Sequence, residues 1–167
     1  YVNMILAHDG AGEFARRARA AGAAAATAPA LPLGEAEDIR EAFTAAGLAT
    51  VPLVAPTTSP ERRAAIAAVA RGFIYLVSTT GTTGERGELP PELTRLVAEM
   101  KADAGETPVA VGFGIGTAAQ AAAVGEIADG VIIGSRLVRA AGEGATPADA
   151  ADNVAQFLAE TRVSLAG

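Results

Sequence analysis

The sequence has no cysteine, a single histidine and no cluster of basic residues. Without cysteine there can be no disulfide, no thiolate metal site and no dithiol redox motif. The lone His8 cannot assemble a metal centre, and it reads as a surface loop residue. A formal net charge of −6 works against a nucleic-acid-binding surface. Arg16-Arg17 and Arg62-Arg63 are read as solvated helix faces. No apolar run approaches the roughly 20 residues of a membrane span. No signal-peptide pattern is visible either, and the expected location is cytoplasmic.

What remains is an alanine-rich chain of 167 residues, 50% hydrophobic, with 19 Gly and 9 Pro. That composition is globular, and the length fits a single domain, residues 1–167, with a real core. The chain starts at Tyr1 in mid-pattern, and Tyr1-Val2-Asn3 looks like the end of a strand whose beginning is missing. The expectation is a fragment, or a chain whose N-terminal part is not included.

Taken in order, residues 13–21 are helical in pattern, with Phe14, Ala15 and Ala18 on one face and Gly22 as terminator. Residues 23–28 form a weak strand of small side chains, stopped by Pro29-Ala30-Leu31-Pro32. A helix over 34–46 closes at Gly47, and 48–54 is a strand. Ser59-Pro60-Glu61 combines an N-cap, a proline at the first helical position and an acid in the first turn. Residues 73–77, Phe-Ile-Tyr-Leu-Val, are the clearest strand in the chain. A polar, glycine-rich loop over 78–89 follows it, and long loops at such positions often serve as lids or binding loops. Pro90-Pro91 starts a helix to Asp103, and strand 109–112, helix 118–127, strand 130–133 and helix 135–141 follow. Thr146-Pro147 opens a last helix to Val163, with Asp149 in its first turn.

The stretch with the most chemical content is Val109-Ala110-Val111-Gly112-Phe113-Gly114-Ile115-Gly116. It reads as a buried strand, a glycine turn that lets backbone approach a ligand, and a helix capped by Thr117. Bare amides at a helix N-terminus make an anion site. A second turn of this type, Gly134-Ser135, ends the next strand, so one phosphate held between the two turns is the simplest reading. Repeated β/α alternation, five strands with helices between, implies a parallel sheet. An open doubly wound sheet and most of a (β/α)₈ barrel both satisfy it, and both bind ligands at the strands' C-terminal ends. A dinucleotide-binding sheet fits poorly. The third glycine comes too soon, and Asp129 starts the following strand where an acid should end it. Paired glycine turns after consecutive strands match the barrel phosphate site.

These residues resemble the alpha chain of tryptophan synthase. Phe73-Ile74-Tyr75-Leu76-Val77-Ser78, Gly81-Thr82-Thr83-Gly84 and Leu89-Pro90 are similar to that family's sixth strand and mobile loop. Val111 to Ile115 resembles its seventh-strand motif and Asp129 to Ser135 its eighth. Leu53-Val54-Ala55-Pro56-Thr57-Thr58 resembles the fifth, and Tyr1-Val2-Asn3 the end of the third. The resemblance implies a (β/α)₈ barrel of which this chain holds about the last five β/α units, its C-terminal two-thirds. The activity it implies is the aldol cleavage of indole-3-glycerol phosphate to indole and glyceraldehyde 3-phosphate, in tryptophan biosynthesis. It implies no cofactor in this chain. It also implies an α2β2-type complex, in which indole passes to a pyridoxal-phosphate beta chain. By the same resemblance Gly84, Gly114, Gly134 and Ser135 bind the substrate phosphate, and Tyr75 and Phe113 line the indole pocket. Thr83 closes the loop and helps orient a catalytic carboxylate, while Asn3 and the loops at Pro32 and Pro56 face the beta chain.

The sequence departs from the family in ways that bear on chemistry. The family's two catalytic carboxylates lie at the end of its first strand and just after its second, and neither position has a counterpart here. The reaction needs an acid to protonate the indole ring carbon and a base near the indole nitrogen and glycerol hydroxyl. Glu85 lies in the loop but is not assigned either role. Ala30 stands where the family usually has Asp, and the strand before it is built of unusually small residues. The isolated chain is expected to bind phosphate weakly and to be inactive. Two other readings stay open: a non-catalytic alpha-like partner of a beta chain, and another sugar-phosphate barrel enzyme, an isomerase or epimerase.

Overall fold

The computed structural model describes residues 2–8, 10–27, 37–78, 89–112 and 114–167. Eight helices and six strands run along them: α1 (Val2–His8), α2 (Gly10–Ala20), β1 (Ala25–Thr27), α3 (Glu37–Ala45), β2 (Ala49–Val51), β3 (Leu53–Val54) and α4 (Pro60–Val69). Then come β4 (Ile74–Val77), α5 (Leu93–Ala104), β5 (Val109–Gly112), α6 (Ala118–Gly125), β6 (Gly130–Ile132), α7 (Ser135–Gly142) and α8 (Pro147–Ala166). Every ladder among them is parallel, β1 with β2 and then β3-β4-β5-β6 in sequence order.

The register sorts side chains into two faces. Val54, Leu76, Val111 and Val131 align across the four strands, and with Ile74 and Val109 they face the helices. Ile66 of α4, Leu96, Val97 and Met100 of α5, and Ala121 and Val124 of α6 complete that core. The other face carries Leu53, Tyr75, Ala110 and Gly130 in one aligned row, then Val77, Gly112 and Ile132 in the next. A separate cluster of Ala15, Ile39, Phe43 and Leu48 holds α2 and α3 together, with the Phe14 and Phe43 rings 5.9 Å apart.

Four expectations are corrected. Val2 and Asn3 belong to a helix, α1, and not to a strand end. Met4, Leu6 and Ala7 are good helix formers, and α1 packs on α2 with Ile5 against the Phe43 cluster. His8 closes that helix instead of sitting in a loop. Residues 48–54 are not one strand, because Pro52 has no N–H to give a ladder. The chain pairs with β1 before it and with β4 after it, and the Pro52 carbonyl accepts the Tyr75 N–H at 3.0 Å. Finally, Arg63 is not a solvated cation. Its guanidinium is mostly buried between α4 and α5, with Nε donating to Asp103 Oδ2 at 2.9 Å and Nη1 3.1 Å from Glu99 Oε2.

Asp129 ties the N-terminal ends of β5 and β6. Its Oδ2 accepts the Val109 N–H at 2.9 Å, its own N–H donates to the Val109 carbonyl at 2.9 Å, and Oδ1 lies 2.6 Å from Lys101 Nζ. The Lys101 ammonium, and after it the Val109 N–H, hold this carboxyl below the usual carboxylate range. A depressed folded pKa stabilises above the unfolded value, and the contribution is lost as pH falls through the folded one. Asp129→Asn is expected to lower stability by about 1 kcal/mol at pH 7. In urea denaturation its deficit against the parent should shrink as pH is taken from 7 to 3. A deficit independent of pH would show that the ionised form makes no contribution.

Candidate functional site

Strands β4, β5 and β6 stop at one level: Val77 pairs with Gly112, and Gly112 with Ile132. The turns after β5 and β6 therefore open at the C-terminal ends of neighbouring strands. Gly114 and Gly134 each stand two residues beyond that level. Ser78 is buried just past β4 and donates its N–H to the Gly112 carbonyl at 3.0 Å, extending the ladder by one bond. Sequence reasoning opened the loop at Ser78, carried it with the sixth strand in the family resemblance, and gave it no role.

The β5–α6 turn needs Gly114 for its φ of +88°, a conformation L side chains avoid. Ile115 then drops into the core, and Thr117 caps α6 as expected. Its Oγ1 accepts the Gln120 N–H at 3.1 Å, while Gln120 Oε1 accepts the N–H groups of Gly116 at 2.8 Å and Thr117 at 3.2 Å. The expectation of bare amides here is corrected at Gly116 and Thr117, because Gln120 takes both. Its signal was present in the sequence as Thr-x-x-Gln, the capping-box spacing. The β6–α7 turn differs. Gly134 is the N-cap of α7 and no side chain caps it; its carbonyl accepts the N–H groups of Leu137 and Val138 at 2.9 and 3.1 Å. Ser135 is the exposed first residue of α7.

Tyr75 lies on the inner face of β4 and its ring covers Gly112 of β5. A Cβ added at Gly112 would stand 2.6 Å from the Tyr75 hydroxyl and 2.7 Å from Cε2. Any side chain at 112 would have to displace that ring. Partial burial pushes the phenol's pKa up, so it stays protonated at neutral pH. The structure thus brings Tyr75, Gly114, Gly134 and Ser135 to the ends of three adjacent strands. Pro56 sits half-buried in the turn after β3, at the same end of the sheet, and Asn3 is exposed on α1. Thr83, Gly84, Phe113 and Pro32 lie outside the described residues, as do Ala30 and Glu85.

The turns β3–α4, β5–α6 and β6–α7 contain no Asp or Glu before their helices begin. Among the described residues no group of three or more His, Cys, Asp or Glu could hold a metal, and no helix is long and apolar enough to cross a membrane. Among the described residues, these three turns and the neighbouring Tyr75 bring together backbone amides, hydroxyls and an aromatic ring, groups that suit an anion and a flat apolar partner. Gly112→Ala is expected to cost about 1–3 kcal/mol by displacing the Tyr75 ring. In a Tyr75→Ala background it should cost less than about 1 kcal/mol. Equal costs in both backgrounds, measured by urea denaturation, would show that the ring does not depend on this glycine.

A model of the family described as tryptophan synthase alpha chain matches residues 1–165. The tryptophan synthase alpha chain of Carboxydothermus hydrogenoformans is 48% identical over 138 residues, 83% of this chain and 51% of that relative. That of Chromobacterium violaceum is 43% identical over 166 residues, 99% of this chain and 62% of that relative. Among solved structures, tryptophan synthase of Mycobacterium tuberculosis is similar with a TM-score of 0.86 at 37% identity, covering 99% of this chain and 60% of that one. The tryptophan synthase a2b2 complex of the hyperthermophile Pyrococcus furiosus gives 0.85 at 34% identity, covering 98% and 64%. The chain spans between half and just under two-thirds of the length of these relatives. Its parallel α/β architecture is that of the tryptophan synthase alpha barrels, and the chain belongs to the tryptophan synthase alpha chain family.

Proposed function

We propose that this chain forms the phosphate- and indole-holding part of a lyase that cleaves indole-3-glycerol phosphate to indole and glyceraldehyde 3-phosphate, in tryptophan biosynthesis. The carrying observation is the pair of glycine turns at Gly114 and Gly134-Ser135, opening side by side beyond Gly112 and Ile132 in a chain of this family. The amides at Gly134 and Ser135 and the positive end of α7 attract the phosphate dianion. Gly114 brings backbone to it from the neighbouring turn, and Gly84 from the segment after β4. The Tyr75 ring, with Phe113, flanks the indole. Thr83 acts as the closing loop residue.

The reaction breaks the bond between the indole ring carbon and the glycerol chain. The ring carbon gains a proton and the adjacent hydroxyl gives one up as it becomes the aldehyde, so no oxidant or cofactor is needed. The residues named above bind and orient. The acid and base roles we assign to the carboxylates that the family carries near its first and second strands. On this reading the chain is about the last five β/α units, the C-terminal two-thirds, of a (β/α)₈ barrel and acts in the cytoplasm. Its partner is a beta chain in an α2β2-type complex, with Asn3, Pro32 and Pro56 on the facing side.

The 167-residue chain titrated with indole-3-glycerol phosphate should bind it weakly, and binding should weaken further when inorganic phosphate competes. It should release no indole. Absence of any binding would overturn the placement of the phosphate. Measurable indole release would overturn the assignment of both proton-transfer roles to residues outside this chain.

A further inference from the structure

Among the described residues β6 is the end strand of the four-stranded ladder, so one edge of Gly130-Val131-Ile132 has no strand against it. Edge strands are commonly blunted by a charge, a proline or a covering segment. This one holds neither charge nor proline. Beside it lies a groove of about 380 Å³, lined by Val131 and Ile133, by Leu137 of α7, and by Leu158, Arg162 and Leu165 of α8. The apolar arc of α8 is wider than the arc its neighbours cover. Phe157 and Thr161 are buried in this helix, which packs on α6 and α7. Leu158 and Leu165, two turns apart on the adjoining stripe, stay 45% and 46% exposed. No carboxylate lines the groove. Its charged group is Arg162, exposed and without an ion pair among the described residues.

We propose that this groove is the docking surface for a further β/α unit of a family-length alpha chain. A strand lies parallel to β6 along its free edge, and an amphipathic helix rests on Leu158 and Leu165 with a carboxylate on Arg162. The inference rests on the reading that the chain is part of a longer barrel, and it names where and by what chemistry the rest attaches. Three observations select this occupant. The chain covers 62% of the Chromobacterium violaceum relative, so over a third of such a chain lies outside the matched region. Every described ladder is parallel, and a parallel strand with its crossover helix continues that pattern while covering the groove. An unpaired guanidinium beside apolar surface calls for an acid on the arriving face.

The test adds the unmatched remainder of the Chromobacterium violaceum alpha chain, made as a separate polypeptide, to the 167-residue chain. Association is read by analytical ultracentrifugation and fluorescence polarisation, with a melting temperature recorded for each protein. An equimolar complex is expected. Leu158→Asp should weaken it about a hundredfold. Arg162→Glu should weaken it about tenfold, and added salt should weaken the parent complex more than the Arg162→Glu complex. Val163→Asp, on the same helix, 74% exposed and outside the groove, should bind as the parent does. All three positions are exposed, so each variant should melt near the parent's temperature. Binding that Leu158→Asp and Arg162→Glu leave unchanged would overturn the groove as the docking surface and leave the barrel reading standing. A parent that does not associate with the remainder would overturn that reading and this inference together. A parent that sediments alone as a dimer, dispersed by Leu158→Asp, would give the groove to a second copy and overturn the proposal.

Discussion

Parallel strands cannot be joined by a tight hairpin, so each must be followed by a crossover that carries the chain back to the far end of the sheet. All the ladders described here are parallel, and helices supply the crossovers. That constraint fixes polarity. A helix entered from a strand begins at the strand's C-terminal end, and the positive ends of α4, α5, α6 and α7 collect along one rim. An anion site on this rim needs no basic side chain, and none of the candidate phosphate residues is basic. The same constraint puts the glycine turns after β5 and β6 on that rim.

Once polarity is set, the two faces of the sheet divide the labour by side-chain size. Toward the helices stand branched aliphatics, Val54, Ile74, Leu76, Val109 and Val111, all buried. Toward the interior the row beside Tyr75 shrinks to Ala110 and Gly130, and the row above it holds Gly112. Small neighbours there let one large ring lie across the adjacent strand. Tyr75 is thus held by the backbone of β5 as much as by its own strand, and its position is coupled to the turn that begins at Gly112.

Much of this was legible in the sequence because it rests on local rules. The strand at 109–112, the Thr117 and Thr146 caps and the Ser59-Pro60 start of α4 all follow from spacing that acts within four residues. What escaped depends on partners distant in sequence. Val2 and Asn3 look extended from composition, but residues 2–8 pack as a helix on α2. The break at Pro52 emerges only when β1 and β4 claim opposite halves of the segment. Arg63 resembles any surface arginine until Glu99 and Asp103, on a helix some forty residues later, surround it. Of the candidate site, Tyr75, Gly114, Gly134 and Ser135 fall on one rim, whereas Gln120 was passed over although the Thr-x-x-Gln spacing marks it as the partner of the Thr117 cap.

At β5 and β6 the two ends of the strands use different hydrogen-bond acceptors. At the N-terminal ends of β5 and β6 a full carboxylate, Asp129, binds an amide and an ammonium, and nothing has to approach it. An ionised acceptor suits a permanent bond, since charge-assisted hydrogen bonds are the stronger kind. At the C-terminal ends of the same two strands the acceptor is the carboxamide of Gln120, and α7 begins without any capping side chain. Neutral or absent acceptors make a weaker helix start but leave the local potential positive. Acids are not kept off the rim as a whole, since Glu61 stands in the first turn of α4 and Glu92 is the N-cap of α5. The contrast is confined to β5 and β6, where the ionised acceptor ties two strands together and the neutral one only closes the first turn of a helix.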